Sequence, residues 1–466
     1  MTATPLPAAL AAHRFGLGEA DLAVVGTDAA GWLLAQIGPA EPQRGSGLVS
    51  GAEGLTRQAD VLLAQRQPAM ADAAAQAATA APLRDIAQAD VRARLTTAAS
   101  SRRPFNERLA LFWANHFTVS LAKASTRGAV GAFEREAIRP HIGGRFIDLL
   151  RAAVQHGAML RYLDNDRSAG PDSAIVRRLA GRASPRVTGL NENLARELLE
   201  LHTLGAAGGG AAYGGWGGYT QADVTALAAV LTGWRVPPPD TLAAPGAPSA
   251  WFDASWHQPG PKQVLGRSHP EGPQGLESVL QQLAQHPSTA RFIATKLARH
   301  LVADEPPPAL VARLADSFLQ TGGDLPSLYR SLVLAPEAWA AQPAKLKTPE
   351  EFVLSSARLL QWGDSLVQRT PDAGIGALGQ RLLAAPSPAG WPDQAAEWLG
   401  PDAVWKRVEW ATRVADRLGG QVDARALAAR SLGPLLTDHT ARQIDRAADG
   451  RQALALLLLS PDFQRR

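Results

Sequence analysis

The chain has 466 residues, 46% of them hydrophobic and 19% charged, a balance that excludes a wholly disordered protein and supports a real core. Cysteine is absent, which excludes disulfides, thiolate catalysis, zinc fingers and iron–sulfur clusters together. The formal net charge of +4 comes without a block of about five or six like charges, so no nucleic-acid partner is expected, and no apolar run reaches the roughly 18 residues of a membrane span.

From the N-terminus onward the sequence predicts a mainly α fold. Met1 to Ala12 carries no Lys or Arg ahead of its apolar stretch, so it lacks the basic start of a secretory signal. Either the protein stays inside the cell or a leader has been removed. His13 and Arg14 precede a Phe-Gly turn that can tuck either side chain into the core. Apolar residues then recur at three and four over Asp21 to Ile37, Phe105 to Ala124, Arg145 to Leu163, Thr289 to Val302, Pro308 to Gln320, Glu350 to Trp362 and Ala403 to Leu418. Alanine richness favours the same state. One short β-hairpin is expected within Trp251 to Gly266, where aromatics and turn residues cluster. Loops are expected at Gly38 to Gly54, Gly205 to Gly218 and Val236 to Ala250, all rich in Gly or Pro. The arrangement expected is one large helical domain over residues 1–466, or two subdomains joined near 205–250. The glycine-rich segment reads as a tolerated surface insertion or as a lid.

The polar chemistry is densest in the middle. Asn191 is placed to cap a helix running to Leu204, with Gly205 as its left-handed stop. Leu194, Leu198, Leu201 and Leu204 form the apolar stripe. Asn193, Arg196, Glu197 and Glu200 fall at offsets of three, four and seven, so an amide, a guanidinium and two carboxylates project together. The plain alternative is a solvated face with an Arg–Glu pair. His116 follows Trp113 at offset three. Asp164 and Asn165 end a helix with oxygen donors suited to a hard cation. A shared site is therefore expected, with Glu197, Glu200, His116 and Arg196 as catalytic groups and Asn191, Asn193 and His202 as ligand-binding ones. Asp164, Asn165 and Glu197 are the candidate ligands of a divalent metal ion. Thr220 and Asp223 are fully explained as a capping pair.

Further along, His257 and Lys262 lie in the expected hairpin, facing a pocket or merely closing a surface turn. Lys296, Arg299 and His300 share a helix face that suits an anion, although a basic helix end is also favoured by the macrodipole. Lys347-Thr348-Pro349-Glu350 reads as a helix start. Trp391 reads as a loop anchor. No P-loop, dinucleotide-binding, GxSxG or HExxH motif occurs, so no nucleotide cofactor is expected.

The runs NENLARELLELHTLG and GGYTQADVTALAAVLTGWR resemble the bacterial family catalogued as domain of unknown function 1800. AAHRFGLG, ERLALFWANHFTVS, AMLRYLDN, WHQPGPKQVLG, LKTPEEFVLSSARLL and GQRLLAAPSPAGWPD agree with it in order. The resemblance implies a large helical fold, export from the cell and a sulfatase-like protein as partner; it implies no particular activity. The chain departs from the family pattern in its expanded glycine segment and in its N-terminus without a visible signal. The function expected is an enzyme with a carboxylate, amide and His pocket, metal-assisted or metal-free, acting on a polar or anionic small molecule or polymer. The alternative is a non-catalytic helical binding or assembly protein whose polar cluster is a buried network.

Overall fold

The computed structural model describes residues 6–65, 73–180, 189–206, 218–368 and 370–466. The chain is 60% helical, with 23 α-helices and two small two-stranded antiparallel sheets among the described residues. Both sheets are hairpin-sized: β1 (Trp234–Arg235) pairs with β2 (Trp251–Phe252), and β3 (Lys262–Val264) with β4 (Arg267–His269). The expected single hairpin within Trp251 to Gly266 is thus divided between two sheets. Its Trp251 end pairs back onto Trp234, and its Lys262 end turns through Leu265 and Gly266, both in the left-handed region, onto 267–269.

Most of the expected helices form, and local chemistry explains where they stop. The Asp21 to Ile37 stretch is broken in two because Asp21 and Asp28 each turn back to accept a backbone N–H, from Ala23 and Gly31 at 2.8 Å. The Arg145 to Leu163 stretch becomes Phe146–Val154 and Gly157–Tyr162, divided by His156, whose Nδ1 accepts from Ala158 N at 3.1 Å. Phe105 to Ala124 shortens to Pro104–His116. The loop expected at Gly38 to Gly54 ends earlier, at Ser50, which caps the Gly51–Ala64 helix. Thr220 with Asp223, and Thr348 with Glu351, form capping boxes, and Pro349 occupies the first turn of its helix. Of the glycine-rich segment, residues 207–217 lie outside the described residues.

A hydrophobic core extends from Ala8 to Phe463. Two helices lie deep within it. Every residue of Pro349–Leu359 is buried, as is all of Pro104–His116 except Ala114 and Asn115. Both nevertheless carry charge: Glu107 and Arg108 on one, Glu350, Glu351 and Arg358 on the other. A buried ion is tolerable only when paired, and each of these is. Arg139 holds Glu107 at 2.7 Å, Arg94 holds Glu350 at 2.7 Å, Arg108 bonds Glu351, and Arg358 bonds Glu19 and four backbone carbonyls. Among the described residues, no helix is long and apolar enough to cross a membrane.

Candidate active-site cleft

The expected cluster on the 191–204 segment is shaped by a change of helical pitch. The α-helix covers only Asn193–Glu197; Leu198–Thr203 continues as a π-helix, in which Leu204 N donates to Leu199 O at 2.8 Å. The wider turn rotates the residues after it. His202 swings into the core at 0% exposure, while Leu201 becomes half-buried. Asn191 accepts from Asn193 N at 2.9 Å, and Asn193 is exposed. Arg196 does not reach Glu197 or Glu200 as a bonded partner. It turns back to Glu192 at 3.2 Å and to Gln221 at 3.1 Å. Glu197 is half-buried, and its carboxyl is raised by burial and by neighbouring Glu200, against the pull of Arg196.

His116 is buried among rings, 5.2 Å from Trp113 and 6.2 Å from His202 between centroids, and its Nε2 meets His202 O at 3.2 Å. Burial holds it well below the usual histidine range, reinforced by Lys296. Among the described residues no hydrogen bond or ion pair links His116 with Glu197, Glu200 or Asp164. Asp164 is held by Lys123 at 2.6 Å. Asn165 donates its amide nitrogen to Leu231 O and Trp234 O at 3.1 and 3.0 Å, and its Oδ1 is buried with no hydrogen-bond partner among the described residues. No group of three or more His, Asp and Glu side chains among the described residues is arranged to hold a metal ion.

His257 and Lys262 form a lock under the hairpin. His257 Nε2 receives Lys262 Nζ at 2.8 Å and Gly272 N at 3.1 Å, so that nitrogen is an acceptor; Nδ1 therefore carries the proton and donates to Thr232 O at 2.7 Å. Burial lowers both pKa values. Lys296, Arg299 and His300 do not present one anion-binding face: Arg299 bonds Asp304 O at 3.0 Å, Lys296 packs over the Phe292 ring at 5.5 Å, and His300 turns to Asp393.

That last contact opens on a cleft of about 80 Å³, room for only a handful of heavy atoms. Six sequence segments line it: Arg94, 108–119, 130–134, His300, 348–351 and 380–393. Asn115 fastens the last of these, its amide donating to Trp391 O at 2.9 Å and accepting from Trp391 N at 2.8 Å. Gly390 (φ +84°) is required for this approach, because a Cβ would stand 2.5 Å from Asn115 O. Thus Trp391 anchors its loop through its backbone.

The cleft walls are ionic. Arg94 bridges Glu134 and Glu350, and Glu351 is gripped by Arg108 and by Arg466 at 2.7 Å. Burial works against the Glu351 carboxylate, but Arg466 and Arg108 outweigh it and hold it well below the usual range. His300 Nδ1 lies 3.2 Å from Asp393 Oδ2, and Asp393 Oδ1 lies 3.3 Å from Lys345 Nζ. Burial opposes the Asp393 charge too, yet His300, Lys345 and Arg466 bring it down to about 2. Burial lowers His300, which Asp393 only partly reverses, so the imidazole is neutral at pH 7. Because a carboxylate only accepts, Nδ1 carries the proton. Nε2 is buried and has no hydrogen-bond partner among the described residues. One turn earlier on the same helix, burial pushes the Lys296 amine down to about 8.

Of the cleft's groups, only His300 is marked by the sequence as a ligand-binding candidate. Glu107, Arg108, Glu350 and Glu351 carry a usable signal: charges placed inside runs otherwise apolar enough to be buried. The fold and this ionic cleft define a mainly helical protein built around buried charge. Its family follows from the sequence model of "Protein of unknown function (DUF1800)", which matches residues 10–465; the chain belongs to that family. No curated protein and no solved structure matches it.

Proposed function

We propose that the chain is an enzyme that performs acid–base chemistry on a small polar or anionic molecule in the cleft beside His300. The observation that carries this reading is the His300–Asp393 pair: a neutral imidazole oriented by a carboxylate, with its Nε2 unpartnered and the residue lining the cleft. That is the arrangement a general base needs. Asp393 orients the ring and stabilises the imidazolium formed when Nε2 takes a proton. Arg94 and Arg108 reach the wall already paired, with Glu134 and Glu350 and with Glu351, so the lining offers polar contacts rather than a net positive field. The small volume restricts the part of the substrate that enters. Asp164, Asn165 and Glu197 have no part in this proposal, since none of them lines the cleft beside His300.

The test is a panel of small phosphorylated, carboxylated and carbonyl substrates, with His300→Gln and Asp393→Asn as variants. Turnover is expected to fall by about 10²–10⁴-fold in His300→Gln. Turnover that survives His300→Gln unchanged removes the dyad from the chemistry. A second reading has its own support. Arg94, Glu134, Glu350, Arg108 and Glu351 are held in ion pairs, as in a purely structural network. It is favoured if no panel member binds and His300→Leu, which breaks the pair with Asp393, lowers the stability of the protein.

A further inference from the structure

Beyond Glu351, which with Arg108 also lines the cleft, lies a second collection of charge. Residues 345–347 run antiparallel to 464–466, with Leu346 bridging Arg465, Lys345 N bonding Arg466 O at 3.1 Å and Lys347 N bonding Gln464 O at 2.9 Å. Side chains alternate along extended chain. Lys345, Lys347, Gln464 and Arg466 therefore share one side, and all four are buried, the first two and Arg466 at 0% exposure. The two deep helices bring Arg108 and Glu351 to the same place, where Arg108 and Arg466 both bond Glu351 Oε1.

The charges there do not balance. Lys347, Arg108, Arg407 and Arg466 surround Glu351, the one side-chain carboxylate bonded to any of them among the described residues. Arg14 bonds only the carbonyls of Ala338 and Gln342, and it stands close enough to feel Arg466. Four donors are also left over. Arg108 Nη2, Lys347 Nζ, Arg466 Nη1 and Arg14 Nε are buried without a hydrogen-bond partner among the described residues. Lys347 Nζ has only the Phe463 ring, 4.0 Å from its centre. A buried cation with unmet donors is costly, and several in one place compound the cost. Arg108 and Arg466 share one oxygen of Glu351, and the Lys347 amine stands close enough to feel both, so three cations with unmet donors are gathered around a single carboxylate.

We propose that Arg108, Lys347 and Arg466 enclose a small inorganic anion of chloride size, held in the interior as part of the fold. A monatomic anion accepts hydrogen bonds from any direction, which suits two guanidinium edges and an ammonium with no common plane. The three side chains are buried, which favours a small ion over an organic acid. The bound charge would also keep Lys347 protonated, where burial alone pushes its amine well below the usual lysine range.

Two measurements on the full chain test this. Thermal melts are recorded at constant ionic strength while chloride replaces gluconate, which is too large to enter. A ligand held only by the native state stabilises with the logarithm of its concentration. Tm is expected to rise by about 2–5 °C over a hundred-fold range of chloride. Lys347→Met, which keeps the volume and removes the donor, is expected to abolish that rise. His300→Gln is expected to keep it, so the fate of this site is independent of the cleft chemistry. Crystals grown with bromide are expected to show an anomalous peak within hydrogen-bond distance of Lys347 Nζ. A flat chloride response in the wild type, a response unchanged by Lys347→Met, or no bromide peak beside Lys347 each overturns the proposal; the last would assign the space to water. If Lys347→Met does not fold, the bromide peak in the wild type decides alone.

Discussion

Replacing Arg94 with Met separates the energetic role of the buried ions from their volume. Arg94 is 8% exposed and bridges two carboxylates, donating Nε to Glu350 Oε1 at 2.7 Å and Nη1 to Glu134. Methionine fills much of the same space, so the cavity left is small. The charges left behind differ in their fate. Glu134 keeps Gln43 Nε2 at 2.8 Å and Arg139 at 3.5 Å. The Glu350 carboxylate takes its side-chain hydrogen bonds from Arg94 alone among the described residues, and without them it is buried and uncompensated. Breaking a buried pair in this way costs about 3–5 kcal/mol. The assay is urea unfolding at pH 7, read as a shift of the first transition at unchanged slope. Adding Glu350→Gln to Arg94→Met removes the stranded charge and is expected to return at least ~1 kcal/mol. The reasoning is refuted if Arg94→Met unfolds within about 1 kcal/mol of the wild type, or if Glu350→Gln restores nothing in that background.

Titration and cleavage give further expected outcomes. His202 is buried and neutral, with burial and then Lys296 bringing its pKa to about 3 from 6.5, so the folded chain resists a proton that the unfolded chain takes. Stability is therefore full above about pH 6.5 and is lost progressively as pH falls toward 3. Because neither ring nitrogen has a partner among the described residues, His202→Phe is expected to shift the acid-unfolding midpoint to lower pH with little change at pH 7; an unchanged midpoint contradicts this. Asp393 works in a lower window. Its pKa of about 2 against an ordinary 3.8 contributes on the order of 2 kcal/mol above pH 4, lost as pH falls through 2. Asp393→Asn should flatten the acid limb there, and a limb of unaltered slope would show that the carboxylate is not so held. We propose one domain across the chain. Limited proteolysis is expected to cut first at 205–218 or 236–250, rich in Gly and Pro; first cleavage inside 105–163 would argue against it.

The helical class, the helices that form where they are expected and the Thr220–Asp223 capping box are legible in the sequence because they rest on interactions within a few residues. Lys347-Thr348-Pro349-Glu350 announces a helix start through its proline, and the start is there. The family is legible for a related reason, since its motifs are local runs. The partner that each helix faces is not legible. Arg94 meets Glu350 across 256 positions, and Arg108 meets Glu351 across 243. Nothing in local spacing relates them; only packing brings those charges into one dry place, where pairing becomes obligatory. The 191–204 segment shows the same limit from the other side. Its periodicity presumes 3.6 residues per turn throughout, and one wider turn after Glu197 carries His202 from the polar face into the core. Composition offers Asn165 as an oxygen ligand; the fold commits its amide nitrogen to the carbonyls of Leu231 and Trp234 and leaves Oδ1 without a partner among the described residues. Local spacing makes His300 part of a basic helix end, but Asp393, 93 residues away, turns it into an oriented imidazole. Backbone propensity is set by near neighbours, whereas protonation, pairing and exposure are set by whatever the folded chain places within a few ångströms, so the tertiary structure alone assigned the charges their tasks.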